Sequence, residues 1–226
     1  MTILYIDTEH DRVREDAALG PSHRARIEAV RVRLSTIGGL PCEVQHFATI
    51  SPGQIERAAP TALIIGGNVT DWSAYDLTAM GGLFATIRAA PVPILGICAG
   101  HQLIGRAHGG VWGPLGPLHA GETDPDPEFG PGLRKERGFL SVEIDLHCPL
   151  FQGLEPITTF FQLHYWQLAA SPRGFTTRAR SAWTAVQAIE RLDRPVFGVQ
   201  FHPERYDADH PRGETVLRNF LALSGR

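Results

Sequence analysis

The sequence predicts an α/β fold: a doubly wound, mostly parallel sheet with helices on both faces. Three observations lead there. Short apolar runs alternate with longer stretches of helical periodicity, the pattern of repeated strand–helix units. Some runs, such as Ala62-Leu63-Ile64-Ile65, are apolar without alternation, as a parallel strand covered on both faces must be. The run Pro93-Ile94-Leu95-Gly96-Ile97-Cys98-Ala99-Gly100 passes straight into a helix-compatible segment, giving a strand, a tight turn and a helix with Cys98 on the turn.

The elements follow in order. Residues 3–7 form the first strand, and a polar loop over 8–21 leads to Ser22, expected as the N-cap of a helix. Ile27, Val30, Leu34 and Ile37 share one face of that helix, which Gly38-Gly39 stops. Residues 42–47 alternate as a second strand, and 62–65 form a third. Leu77, Met80, Phe84 and Ile87 stripe the next helix, and the strand and helix around Cys98 run to Gly109-Gly110. Residues 113–132, rich in Gly, Pro and acids, read as a long surface excursion. Strands are expected over 139–145, 158–167, 175–179, 185–189 and 196–201, and a final amphipathic helix over 214–223.

The chain has 226 residues, enough for one large domain, expected over 1–226, and it shows no repeat or linker. No apolar run approaches bilayer-spanning length, and the N-terminus reads as a strand rather than a signal peptide. Three widely spaced cysteines suit a reducing, cytoplasmic setting better than a disulfide framework, with Cys42 and Cys148 structural. Net charge is −3, Lys135 is the only lysine, and no basic block suggests nucleic acid.

The chemistry centres on Cys98. Gly96 and Gly100 leave room for a sharp bend, and the thiol stands at a helix N-terminus, which favours the thiolate. This is the thiol counterpart of the nucleophile elbow of hydrolases. A cysteine nucleophile needs a base, and the base needs a partner that holds its orientation. Val196-Phe197-Gly198-Val199-Gln200-Phe201-His202-Pro203-Glu204 supplies both at the end of another apolar strand. Pro203 stiffens the turn and lets His202 and Glu204 lie near one another.

With Gly-Ile-Cys-Ala-Gly-His-Gln and His-Pro-Glu in this order, the sequence resembles the class I (triad) glutamine amidotransferases over nearly its whole length. The resemblance implies a flavodoxin-like fold and a catalytic triad of Cys98, His202 and Glu204. It also implies an oxyanion hole from the N–H groups of Gly67, in the Gly66-Gly67-Asn68 loop, and of Ala99. Asn68 stands where the family has proline. Gln102, one helical turn past Cys98, corresponds to a family glutamine that contacts substrate. His164 and Tyr165, in Phe161-Gln162-Leu163-His164-Tyr165-Trp166, correspond to a substrate-binding segment, although the family has a small residue after the histidine. His101 faces elsewhere on the helix and is expected to pack or lie at the surface.

What the resemblance implies is glutamine as substrate, glutamate and ammonia as products, and no metal, nucleotide or flavin. It also implies that a separate synthase takes the ammonia, since the last expected helix leaves no room for a fused one. Glycines in the 66–68 loop would permit a peptide flip that removes the Gly67 donor, so low activity is expected of the chain alone. The chain departs from the anthranilate type after its first strand (Asp7-Thr8-Glu9-His10-Asp11). It departs from the guanylate type after its cysteine (Ala99-Gly100-His101-Gln102), so neither subfamily is assigned. A free-standing γ-glutamyl hydrolase and a catalytically silent binding module remain the other readings.

Overall fold

The structure, a computed structural model, describes residues 1–223; the last three residues of the expected domain lie outside them. The first half of the chain alternates strands and helices: β1 (Ile3–Asp7), α1 (Asp11–Arg14), α2 (Leu19–Gly38), β2 (Cys42–His46), α3 (Pro52–Ala58), β3 (Ala62–Ile65), α4 (Gly81–Ala89), β4 (Ile94–Ile97) and α5 (Ala99–Ala107). The second half is mostly β: β5 (Trp112–Pro114), β6 (Glu136–Ile144), β7 (Ile157–His164), β8 (Trp166–Leu168), β9 (Phe175–Arg180), β10 (Ala188–Arg191) and β11 (Val196–Val199), closed by α6 (Arg212–Leu223). Among the described residues, nine strands form one sheet in the order β2-β1-β3-β4-β11-β10-β9-β6-β7. The five from β2 to β11 run parallel, and the remaining four extend that sheet antiparallel.

Strand alternation divides the core between the two faces of the sheet. Ile3, Tyr5, Ala62, Ile64, Leu95 and Ile97 pack with Val30 and Leu34 of α2 and Val216, Leu217 and Phe220 of α6. Leu4, Ile6, Leu63, Ile65 and Ile94 pack with Ile55 of α3, Leu83 and Ile87 of α4, and Leu103 and Ile104 of α5. The parallel strands inside the sheet, β1, β3, β4 and β11, are buried along their length, which is why they read as apolar runs, whereas the edge strand β2 is only partly buried.

Several local expectations are corrected. α2 starts at Leu19, and Ser22 is not its cap. The Asp16 carboxylate accepts from the N–H groups of Ala18 and Leu19, both at 2.8 Å. Pro21 is tolerated in the first turn because N–H groups there lack intrahelical acceptors. α1 forms inside the expected 8–21 loop, with the His10 ring accepting from Arg12 N–H at 3.0 Å. α3 escaped notice because its seven residues bury only Ile55, too little for a periodic signal. The strand expected over 158–167 breaks after His164, and β8 pairs instead with β5 in a separate two-stranded sheet. Strand β10 starts three residues late, since Ser181 and Thr184 close a turn ahead of it.

The 113–132 excursion is tied down by the lone lysine. Lys135 Nζ, with a side chain 0% exposed, donates to Asp124 Oδ1 at 2.5 Å and to the carbonyls of Asp126, Phe129 and Gly130 at 2.7, 2.7 and 3.1 Å. A single ammonium thus organises the loop that carries Phe129.

Candidate active site

The carboxyl ends of β1, β3, β4 and β11 converge on one cleft, where open parallel sheets hold their ligands. Cys98 caps β4 and begins the turn into α5 with φ 51° and ψ −103°, a backbone region that L-residues avoid. Two glycines make this bend sterically possible. A Cβ on Gly96 would lie 2.5 Å from the Gly100 carbonyl oxygen, and one on Gly100 would lie 2.2 Å from that of Ile65. The Cys98 N–H donates to Val199 O at 2.8 Å, which hitches the elbow to β11.

Past β11 the chain turns over the elbow. His202 Nδ1 lies 2.7 Å from Glu204 Oε1, and both side chains are buried. His202 N–H donates to Phe161 O of β7 at 2.8 Å, and the Arg33 guanidinium donates to the Glu204 carbonyl. Burial works against a charged ring, but attraction to Glu204 and to charge on the Cys98 sulfur outweighs it, and His202 is pushed up to about 10. A neighbouring imidazolium favours a thiolate.

Gly67 lies against both groups: a Cβ there would be 3.0 Å from His202 Cε1 and 3.3 Å from Cys98 Cβ. The Gly66 carbonyl accepts from Gly100 N–H at 3.1 Å and from the Thr8 hydroxyl at 3.0 Å, which fixes the plane of the Gly66–Gly67 peptide. Among the described residues the Gly67 N–H has no acceptor. Ala99 is the first residue of α5, so its N–H has no intrahelical acceptor either.

The cleft beside Cys98 is narrow and is walled by Trp72, Phe129, Tyr165 and Trp166. Gln102 lines it, but its amide is already engaged. Trp72 Nε1 donates to Gln102 Oε1 at 2.6 Å, and Gln102 Nε2 donates to Trp166 O at 2.9 Å and Gln200 Oε1 at 3.0 Å. Gln200 Nε2 in turn donates to Cys98 Sγ at 3.5 Å. His164 lines the cleft, while its ring is buried between Glu136 Oε2 at 3.0 Å and Trp166 O at 2.9 Å. The Tyr165 hydroxyl and Trp166 Nε1 donate to Asp71 Oδ2 at 2.7 and 3.0 Å. Burial raises the Asp71 carboxyl, but these bonds and those from Ser73 prevail and hold it at about 2. His101 packs in the core at 0% exposure, its ring against Gly198 and Val186 O.

The family model described as Glutamine amidotransferase class-I matches residues 27–223. The chain belongs to the class I glutamine amidotransferase family. A relative in Methanosarcina mazei, named as one subunit of a glutamine-hydrolysing GMP synthase, is 31% identical over 192 residues, covering 83% of this chain and 87% of that one. In fold, this amidotransferase chain matches a Thermoplasma acidophilum protein described as one of the GMP synthase subunits, with TM-score 0.74, 22% identity and coverage of 100% and 94%. It also matches a glutamine amidotransferase from Thermotoga maritima, with TM-score 0.64, 16% identity and coverage of 99% and 97%.

The structure of this amidotransferase brings Cys98, Gln102, His164 and Tyr165 to one cleft and Gly67, His202 and Glu204 to an adjoining one, with Asn68, Val69 and Leu163 lining both. The His164 ring and the Gln102 amide are committed to protein partners. Sequence reasoning missed Glu9, Asp71, Trp72, Phe129 and Gln200. Gln200 had a signal, because it lies two residues before His202 and so projects to the same side of an extended chain. The others lie in stretches without periodicity: the fold brings Trp72 and Phe129 to the cleft, puts Asp71 on Tyr165 and Trp166 of its wall, and buries Glu9 behind the Gly67 loop.

Proposed function

We propose that this chain is a glutaminase that releases ammonia from glutamine for a separate synthase. One observation carries the reading: a strained cysteine elbow on β4 lies beside a buried His202–Glu204 pair from β11, at the edge of a cleft. The Cys98 thiolate attacks the side-chain carboxamide carbon of glutamine. The tetrahedral oxyanion is held by the N–H groups of Gly67 and Ala99. His202 gives its proton to the departing nitrogen, the C–N bond breaks, and a Cys98 thioester remains with ammonia released. Water then attacks the thioester while His202 takes its proton, which yields glutamate and restores the thiolate–imidazolium pair. Glu204 orients the ring and stabilises its charge through Nδ1.

His164, Tyr165 and Gln102 line the amide pocket, and Gln102 is held in place by its bonds to Trp72, Trp166 and Gln200. The M. mazei relative, named as part of a glutamine-hydrolysing GMP synthase, supports a partnered role. The test is ammonia release from glutamine by the purified chain, with and without candidate synthases and their acceptors. Cys98→Ser should lower kcat by at least about 10³-fold with the melting curve unchanged. Near-normal turnover in that variant would remove Cys98 as the nucleophile.

A further inference from the structure

Glu9 is an acidic side chain with 0% exposure just past the end of β1, outside the catalytic motifs described above. Burying a carboxylate is unfavourable unless its oxygens are well bonded. Here Oε2 accepts from Val69 N–H at 2.8 Å, and Oε1 accepts from His10 N–H at 3.0 Å and Thr70 N–H at 3.3 Å. The Arg26 guanidinium stands 3.8 Å from Oε2. Two of the three N–H donors belong to the loop that carries Gly67.

The same two loops are joined at other points. The Thr8 hydroxyl donates to Gly66 O at 3.0 Å, and the Tyr75 hydroxyl donates to Thr8 O at 2.9 Å while accepting from Asn68 Nδ2 at 2.8 Å. Glu9 is the one charged member of this clasp. Because charge-assisted hydrogen bonds are about twice as strong as neutral ones, its carboxylate is the principal anchor of residues 69 and 70.

We propose that Glu9 is a positioning residue for the oxyanion site: its buried carboxylate grips the main chain of Val69 and Thr70 and keeps Gly67 against Cys98 and His202. The inference rests on the glutaminase reading of the cleft. Glu9 touches no substrate and acts only through the loop.

The variants are Glu9→Ala, Glu9→Gln, which keeps one acceptor oxygen, and Thr8→Val, which frees the Gly66 carbonyl at the other end of the same loop. Losing one oxyanion donor slows turnover by roughly 10²–10³-fold, so Glu9→Ala should lower kcat by about 10²-fold with KM within about threefold. Glu9→Gln should fall between Glu9→Ala and wild type. An aldehyde analogue of glutamine, whose adduct with Cys98 places an oxygen in the hole, should lose affinity in step with kcat. Hydrogen exchange over residues 66–70 should quicken in the same order. A purely structural staple would instead lower the melting temperature and leave kcat and aldehyde affinity unchanged in the folded protein. Wild-type levels of both, in Glu9→Gln as well as Glu9→Ala, overturn the proposal.

Wild type against Cys98→Ser tests the glutaminase reading separately. If wild type proves silent towards glutamine with every synthase, alkylation of Cys98 by a glutamine chloroketone still decides the role of Glu9. Slower labelling in both Glu9 variants supports it, and equal labelling overturns it.

Discussion

At the residue scale, the chemistry depends on which protons the site holds. Between its ordinary value near 6.5 and the folded value near 10, His202 keeps a proton in the native state that the unfolded chain has released. Its stabilisation is therefore complete below about pH 6.5 and is lost as pH rises through about 10. Denaturation midpoints taken from pH 6.5 to 10 should fall with pH in the wild type. The fall should be shallower in Glu204→Gln, which removes the facing carboxylate. A steeper fall in that variant would contradict the assigned cause. The three thiols should also differ in reactivity. Burial pushes Cys42 up to about 11 and Cys148 up to about 12, whereas Cys98 faces His202 and a helix N-terminus. A chloroketone analogue of glutamine should therefore label Cys98, and peptide mapping that finds the label mainly on Cys42 or Cys148 would reverse this.

At the element scale, the β4–α5 elbow is a packing problem solved by absent side chains. Gly100 N–H reaches Gly66 O only because nothing projects from Gly100 toward the Ile65 carbonyl, 2.2 Å from where its Cβ would stand. A carbonyl in a buried strand has nowhere to retreat. Gly100→Ala should destabilise the fold by about 1–3 kcal/mol in chemical denaturation. It should also lower kcat more than it raises KM, because α5 would move away from the loop that carries Gly67. An unchanged midpoint with normal turnover would show that the elbow tolerates the shift. The same element explains a limit on the peptide flip expected from the glycines. The Gly66 carbonyl is held by both Gly100 N–H and the Thr8 hydroxyl, so a flip must break two hydrogen bonds.

At the scale of the whole molecule, the open end of the parallel sheet carries the thiol, the clasped loops and the tethered 113–132 excursion together. Asp71 latches Tyr165 and Trp166 across the narrow cleft, and Lys135 holds the Phe129 loop beside it. On the proposed partnered role, a synthase docked over these loops would shift them by binding one arrangement better than the other. The isolated chain should therefore show low steady-state glutaminase activity, rising at least about tenfold with its synthase and acceptor. Fast turnover alone, with no gain on adding any partner, would favour a free-standing γ-glutamyl hydrolase instead.

The sequence by itself determined the strand–helix order, the parallel centre of the sheet and the family. Those features are written in local periodicity, and in glycines beside Cys98 that have one steric use. Cys98, His202 and Glu204 were legible for the same reason, since each lies at the carboxyl end of an apolar run that can only be a buried strand. Only the tertiary structure decided that Gln102 is bonded to Trp72 and Gln200, that the His164 ring turns to Glu136, and that Glu9 grips Val69 and Thr70. Polar side chains choose partners by distance in space, and these partners lie between 28 and 98 residues away along the chain. No periodicity records such a pairing, because hydrogen bonds between loops depend on how the sheet stacks the strand ends and not on the residues beside them.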